Sequence, residues 1–217
     1  MALAIFDLDN TLLGGDSDHA WGEFLVEQGI VDAEAYKQAN DYYYQAYLNG
    51  TLNINEFLQF SLKPLSQHST KQLTQWHQQF MSEKIEPLML EKATKLLNDH
   101  RDQGDYLLII TATNAFVTSP IAERLGVDHL LATTPEFLNG RYTGQVSGTP
   151  CFQGGKVKRL HNWLTATSHS LAGSFFYSDS HNDLPLLEEV DNPVAVDPDD
   201  TLREVAQTNG WPIISLR

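Results

Sequence analysis

Leu3-Ala4-Ile5-Phe6-Asp7-Leu8-Asp9-Asn10-Thr11 is a short apolar run that stops abruptly in a polar loop, and Gly14-Gly15 follows as a turn signal. It reads as a buried strand with two carboxylates at its carboxyl end. Side chains two apart on an extended chain face the same side, so Asp7 and Asp9 can share one site. Similar runs recur at Tyr106 to Ile110, Leu130 to Ala132, Ser174 to Ser178, Pro193 to Val196 and Trp211 to Leu216, making six candidate strands. Helical spacing lies between most of them, as in Ala93, Leu96, Leu97 and His100 ahead of the Gly104 stop. This alternation predicts an α/β fold, a doubly wound and mainly parallel Rossmann-like sheet.

One connection is too long for an ordinary crossover. Residues 14–86 contain no convincing strand, and a crossover needs only about a dozen residues. They are expected to form an inserted helical lobe, with residues 1–13 and 87–217 as the core. Helices are placed at Asp18 to Gln28, Asp32 to Leu48, Asn53 to Leu62 and Ser69 to Glu83, each opened by an Asp, Asn or Ser cap. Half of the 22 aromatic residues fall in this lobe, and Tyr42, Tyr43, Tyr44 and Tyr47 read as packing within a small bundle. Phe137 to Tyr142 carries Asn-Gly between β-prone residues, a tight-hairpin signal.

Composition narrows the function. The net charge is −14, and none of the six arginines precedes Arg101, which argues against a nucleic-acid partner. The longest apolar run, Met1 to Phe6, falls well short of the ~20 residues that cross a bilayer, and no basic segment precedes it. Neither membrane insertion nor export is expected. Cys151 is the one cysteine, so an internal disulfide and a Cys-based zinc site are ruled out, and the cytoplasm is the expected compartment. Its thiol reads as inert, because nothing nearby in sequence supplies a base.

Thr111, Asp179 and Asp183 also follow apolar runs at predicted strand ends, where ligands bind in a doubly wound sheet. A carboxylate cluster there is costly unless a hard cation offsets the like charges, and oxygen ligands with a few waters suit Mg²⁺.

Asp7-Leu8-Asp9-Asn10-Thr11 resembles the D-x-D-x-T signature of the haloacid dehalogenase superfamily of phosphohydrolases. Ile109-Ile110-Thr111 is similar to its strand ending in Ser or Thr, Gly155-Lys156 to its lysine motif, and Ser178-Asp179-Ser180-His181-Asn182-Asp183 to its acidic fourth motif. All four stand in the family's order. The resemblance implies that Asp7 is the nucleophile taking the phosphoryl group, and that Asp9 protonates the leaving alcohol and then activates water. It implies Mg²⁺ bound by Asp7, Asp179 and the Asp9 carbonyl, with Asp183 tying down the arrangement. Thr111 and Lys156 would hold phosphoryl oxygens. Lys158, two residues on, competes with Lys156, and the preceding Gly154-Gly155 favours Lys156.

The helical insertion resembles the cap of the phosphoserine phosphatase-like branch, which selects the substrate. Ten acidic residues stand there against four lysines, and the segment has no arginine to meet a substrate carboxylate. Asp16 lies nine residues after Asp7, the spacing at which that branch binds the substrate amine. An amine without a carboxylate fits, and the chain is similar to bacterial members regarded as histidinol phosphatases. Asp16 would meet the amine, Asp18, His19 or a cap aromatic the imidazole, and Asn114 is a further substrate contact; capping of a helix by Asp16 to Asp18 is the competing role. Phosphoserine or another small ester, transfer to an alcohol instead of water, and a phospho-ligand-binding module without turnover are the alternatives. A monomer or homodimer is expected.

Overall fold

The computed structural model describes residues 2–217, so Met1, the first residue of the opening apolar run, lies outside the described residues. β1 (Leu3–Phe6) is central and buried along its whole length. It runs parallel to β2 (Tyr106–Asn114) on one side and β5 (Phe175–Ser178) on the other. β3 (His129–Leu138), β4 (Arg141–Ser147), β6 (Asn192–Val196) and β7 (Ile213–Ile214) complete the order β4-β3-β2-β1-β5-β6-β7. Only β4 is antiparallel, paired with β3 across the Asn139-Gly140 turn, where both residues adopt positive φ.

The pleat explains why both faces are covered. Ala4 and Phe6 join one hydrophobic cluster with Leu107 and Ile109, whereas Leu3 and Ile5 join a second with Leu108 and Ile110. Continuous apolar runs of this kind need helices on both faces. α6 (Glu91–Asp102) and α7 (Ala115–Leu125) cover the first face; α8 (Gly154–Ala166), α9 (Leu184–Leu187) and α10 (Asp200–Asn209) cover the second.

The insertion is helical: α1 (Ser17–Glu27), α2 (Ala33–Leu48), α3 (Ile54–Ser61), α4 (Lys63–Gln67) and α5 (Thr70–Phe80). Asp16, Asp32, Asn53 and Ser69 each cap a helix by accepting from a backbone N–H. The chain leaves and re-enters the core through adjacent passages, with Leu13 bridged to Met89 and Gly14 N donating to Leu88 O at 2.8 Å. Side chains of α1 and α5 continue the main core, since Trp21, Phe24, Leu25 and Phe80 share the cluster of Phe6 and Leu8. Only Leu58, Leu62, Leu65 and Leu73 form a separate small cluster.

Several expectations are corrected. The sheet has seven strands because the hairpin extends β3 past Ala132 and adds β4, whose Tyr142 and Val146 pack on the small cluster. The expected helix ends at Leu62 as read, but a short α4 with Pro64 in its first turn, which was not expected, follows it, and the last helix gives way to a π-helical turn at Met81–Ile85. The helix after Asp183, expected to run through Leu184 to Val190, ends at Leu187. Tyr43 packs within the insertion on Phe57 and Phe60, but Tyr42, Tyr43, Tyr44 and Tyr47 do not fill a bundle core. Among the α2 residues only Asn40 is fully buried, and Tyr42 is 66% exposed. No helix among the described residues is long and apolar enough to cross a membrane.

Candidate active site

Strand ends set the site. Beyond β1, Asp7 N continues the ladder to Tyr177 O, after which the turn around Leu8 O brings Asp9 back beside β2. Lys156, near the start of α8, is 1% exposed and reaches Asp7 Oδ1 at 2.7 Å and Asp183 Oδ1 at 2.7 Å. Asp183 also accepts from Ser178 Oγ at 2.7 Å, so it orients the lysine and does not cap α9. Lys158 is exposed and takes no part. Asp179 accepts from Thr11 Oγ1 at 3.1 Å, and its own N–H donates back to that hydroxyl.

Both oxygens of Asp9 are engaged, Oδ1 by Ser17 N at 2.6 Å and Oδ2 by Thr113 Oγ1 at 2.8 Å. Thr111 stands behind, its hydroxyl 3.5 Å from Asp9 Oδ2 and accepting from Thr113 N. Thr113 was not expected. It follows the strand's Thr111 by two residues, so the period-two pleat held a signal for it that the sequence reading did not use.

These carboxyls are short of charge compensation. Burial pushes Asp7 up to about 7, Asp183 and Asp9 adding to the rise while the Lys156 ammonium opposes it. Burial, then the charge of Asp16, lifts Asp9 to about 6 against its hydrogen bonds. Asp179 lies well above the carboxylate range through burial and then the charges of Asp7 and Asp183. Burial works against the charge of Lys156, yet Asp183 and Asp7 hold it above the ordinary lysine range.

Asp7 Oδ2 is buried with no hydrogen-bond partner. An orphaned carboxylate oxygen beside a second desolvated carboxylate fits a hard divalent cation. Among the described residues no three His, Cys, Asp or Glu side chains stand together as a full cage. Two carboxylates and a backbone carbonyl leave room for a phosphate and waters, the mode Mg²⁺ favours.

A cavity of about 540 Å³, counting its open mouth, lies between this cluster and the insertion. Asp7, Asp9 and Thr111 form its floor, and Asp16, Asp18 and His19 enter from α1 and its cap. Tyr43, Tyr44 and Tyr47 supply the opposite wall from α2, which is why that helix buries so little. Their positions place three rings on one side of α2, a face that serves a ligand space while Tyr43 also packs on Phe57 and Phe60. Asp16 accepts from His19 N at 2.8 Å as the cap of α1, and it also lines the cavity. Burial, then Asp16 and Asp9, holds the Asp18 carboxyl well above its ordinary range. His19 Nε2 lies 3.1 Å from Asp41 Oδ1, and its ring tilts on Tyr44 at 4.6 Å.

Asn114 is a correction. It does not line the cavity, because Oδ1 is turned to Val117 N at 3.3 Å, where it caps α7. Cys151 is fully buried, its thiol pushed up to about 12 mainly by desolvation, and lies outside the cavity wall.

Residues 4–188 match the haloacid dehalogenase-like hydrolase family. The chain is 43% identical over 219 residues to the histidinol-phosphatase of Neisseria meningitidis serogroup C (strain 8013), with 99% of each chain covered. It is 30% identical over 222 residues to a phosphoserine phosphatase of Mycobacterium tuberculosis (strain ATCC 25618 / H37Rv), covering all of this chain and 71% of that protein. A Bordetella pertussis Tohama I protein of unknown function superposes with a TM-score of 0.94 at 44% identity, covering 100% and 99% of the two chains. A substrate-bound phosphoserine phosphatase superposes with a TM-score of 0.73 at 16% identity, over 100% and 93%, a likeness of fold. The chain belongs to the haloacid dehalogenase-like hydrolases and is a phosphoric monoester hydrolase.

Proposed function

We propose that this phosphatase hydrolyses histidinol phosphate to histidinol and phosphate through an aspartyl-phosphate on Asp7, with Mg²⁺ as cofactor. One observation carries the substrate: the cap side of the cavity presents Asp16, Asp18, His19 and three tyrosines, and among the described residues no lysine or arginine lines it. Such a wall attracts a cationic amine and an aromatic ring and offers nothing to a carboxylate. The cavity's place between the core and the insertion suits a small metabolite. The full-length identity to a histidinol-phosphatase supports the same reading.

The chemistry follows from two carboxyls in different surroundings. Asp7, oriented by Lys156, attacks phosphorus as the bond to the leaving oxygen breaks, and Asp9 delivers a proton to that oxygen. Asp9 then takes a proton from the water that opens the acyl phosphate, which restores both groups. A carboxyl raised to about 6 is suited to give and take that proton near neutrality. Held by Asp7, Asp179 and the Asp9 carbonyl, Mg²⁺ would neutralise the phosphoryl oxygens. Lys156 and Thr111 hold those oxygens on the protein's side. Asp16 meets the amine, while Asp18 and His19 face the imidazole among the tyrosine rings. The lone cysteine, a buried free thiol, is in keeping with a cytoplasmic setting.

The test is inorganic phosphate release from L-histidinol phosphate and, separately, L-phosphoserine at saturating Mg²⁺, with Asp7→Asn as the blank. Histidinol phosphate is expected to be the better substrate by at least tenfold in kcat/KM. A preference for phosphoserine would overturn the substrate assignment and keep the chemistry; failure with every small ester would overturn both.

A further inference from the structure

α2 carries the tyrosine wall of the cavity yet buries only Asn40 along its length, and the core grips it at its C-terminal end. There Asn182 Nδ2 donates to the Tyr47 carbonyl at 3.2 Å. The Tyr47 carbonyl already accepts from Gly50 N at 3.0 Å, so this amide adds a second bond, supplied from the core, where the chain leaves the helix. Three residues on, Gly50 has φ +68, and a Cβ there would stand 2.7 Å from His181 Nε2. Only glycine lets the chain after α2 seat on the His181 ring. That ring is itself anchored, with Nδ1 2.8 Å from Asp199 Oδ2, an oxygen that also accepts from His181 N at 2.7 Å.

Asn182 is 3% exposed and held from the other side, its Oδ1 accepting from Gln153 Nε2 at 2.9 Å. Gln153 has φ +46 and ψ −124, a backbone conformation seldom adopted outside glycine, and its carbonyl accepts from Lys156 N at 2.9 Å. The bracket Gln153–Asn182–Tyr47 therefore joins the start of α8, the loop that ends in Asp183, and the cavity wall.

We infer that Asn182 and His181 form a latch by which the catalytic core holds the cap closed. Asn182 is a positioning residue: it fixes the Tyr47 carbonyl, and so the Tyr47 ring against the leaving group, from the same loop that orients Lys156 through Asp183. Closure and the arrangement of the charged floor are thereby coupled. The latch does not depend on which ester the cavity accepts.

Backbone hydrogen exchange on the full chain tests it, with Asn182→Ala, Gly50→Ala and the double variant. Each single change is expected to speed exchange at residues 45–52 about five- to tenfold, roughly the weight of one hydrogen bond, and to leave β1 and β2 as in wild type. The double variant should do no more than the larger single, because both break one latch. With p-nitrophenyl phosphate, Gly50→Ala should raise KM by a similar factor and change kcat less than about twofold. Should Asn182→Ala fail to fold, Asn182→Asp keeps the shape and removes the donor. Unchanged exchange at residues 45–52, a rise spread equally over β1 and β2, or additive effects in the double variant would overturn the latch.

Discussion

Replacing Lys156 by methionine keeps a long side chain of similar bulk and removes an ammonium that is 1% exposed and paired with Asp7 and Asp183, both at 2.7 Å. Two buried carboxylates then face each other without their cation. Breaking a buried ion pair in this way costs about 3 to 5 kcal/mol. The lower end is expected near neutral pH, because Asp7, already raised to about 7, can take up a proton and relieve part of the repulsion. For a chain of this length roughly 2–4 °C of melting temperature accompanies each kcal/mol, so a loss of about 6 to 12 °C is expected at pH 7.5. The loss should shrink at pH 5.5, where protonation of Asp7 is further advanced. Thermal unfolding of chelator-treated wild type, Lys156→Met and Lys158→Met supplies the comparison. Lys158 is exposed, and its replacement should stay within about 0.5 kcal/mol of wild type. If Lys156→Met melted within 2 °C of wild type, or no lower than Lys158→Met, the reading of Lys156 as the cation of the floor would be refuted.

Asp7→Asn should abolish phosphoenzyme formation and turnover while leaving the fold intact; trapping with a labelled ester and acid quench reads the first directly. In metal-free protein, Asp7 at about 7 and Asp9 at about 6 hold protons in the folded state that the unfolded chain has released above 3.8. Stability should therefore fall as pH rises from about 4 to 7, and a rise across that window, seen by urea titration in chelator, would contradict the buried-carboxyl picture. Mg²⁺ competes with those protons, so its thermal stabilisation should be larger at pH 8 than at pH 5.5 and disappear in Asp179→Asn. Asp16→Asn retains a good helix cap and removes a cavity charge, so KM for histidinol phosphate should rise about 10- to 100-fold with little change in melting temperature. An unchanged KM would leave Asp16 with its capping role alone.

The sheet was legible because its signals are local. A strand buried on both faces has to be an unbroken apolar run, and residues 3–6 and 106–110 are such runs; Asn139-Gly140 marked the hairpin by the positive φ its turn demands. Three helix starts were legible for a similar reason, since Asp32, Asn53 and Ser69 satisfy N–H groups within three residues of themselves, whereas α1 begins at Ser17 on the Asp16 cap, ahead of the expected Asp18. The role of α2 was hidden: Tyr43, Tyr44 and Tyr47 have the same helical spacing whether they face a bundle core or a ligand space, and only packing distinguishes the two. Asn114 misled in the same way, because a polar side chain beyond a strand end can turn to the ligand or to the next helix's N–H groups, and α7 claimed it.

By itself the sequence determined the alternation of strands and helices, the strand ends where carboxylates gather, and the acidic, arginine-free character of the insertion, all of which depend on residues near one another along the chain. Tertiary structure alone decided that Lys156 bridges Asp7 and Asp183, that Thr113 holds Asp9, and that Asn182 grips the end of α2. Those contacts join residues 27 to 149 positions apart. A hydrogen bond of that kind leaves no period or cap in the sequence; those of the charged floor exist because parallel strands bring their carboxyl ends to one edge of the sheet, and that of Asn182 because the end of α2 lies against the same edge.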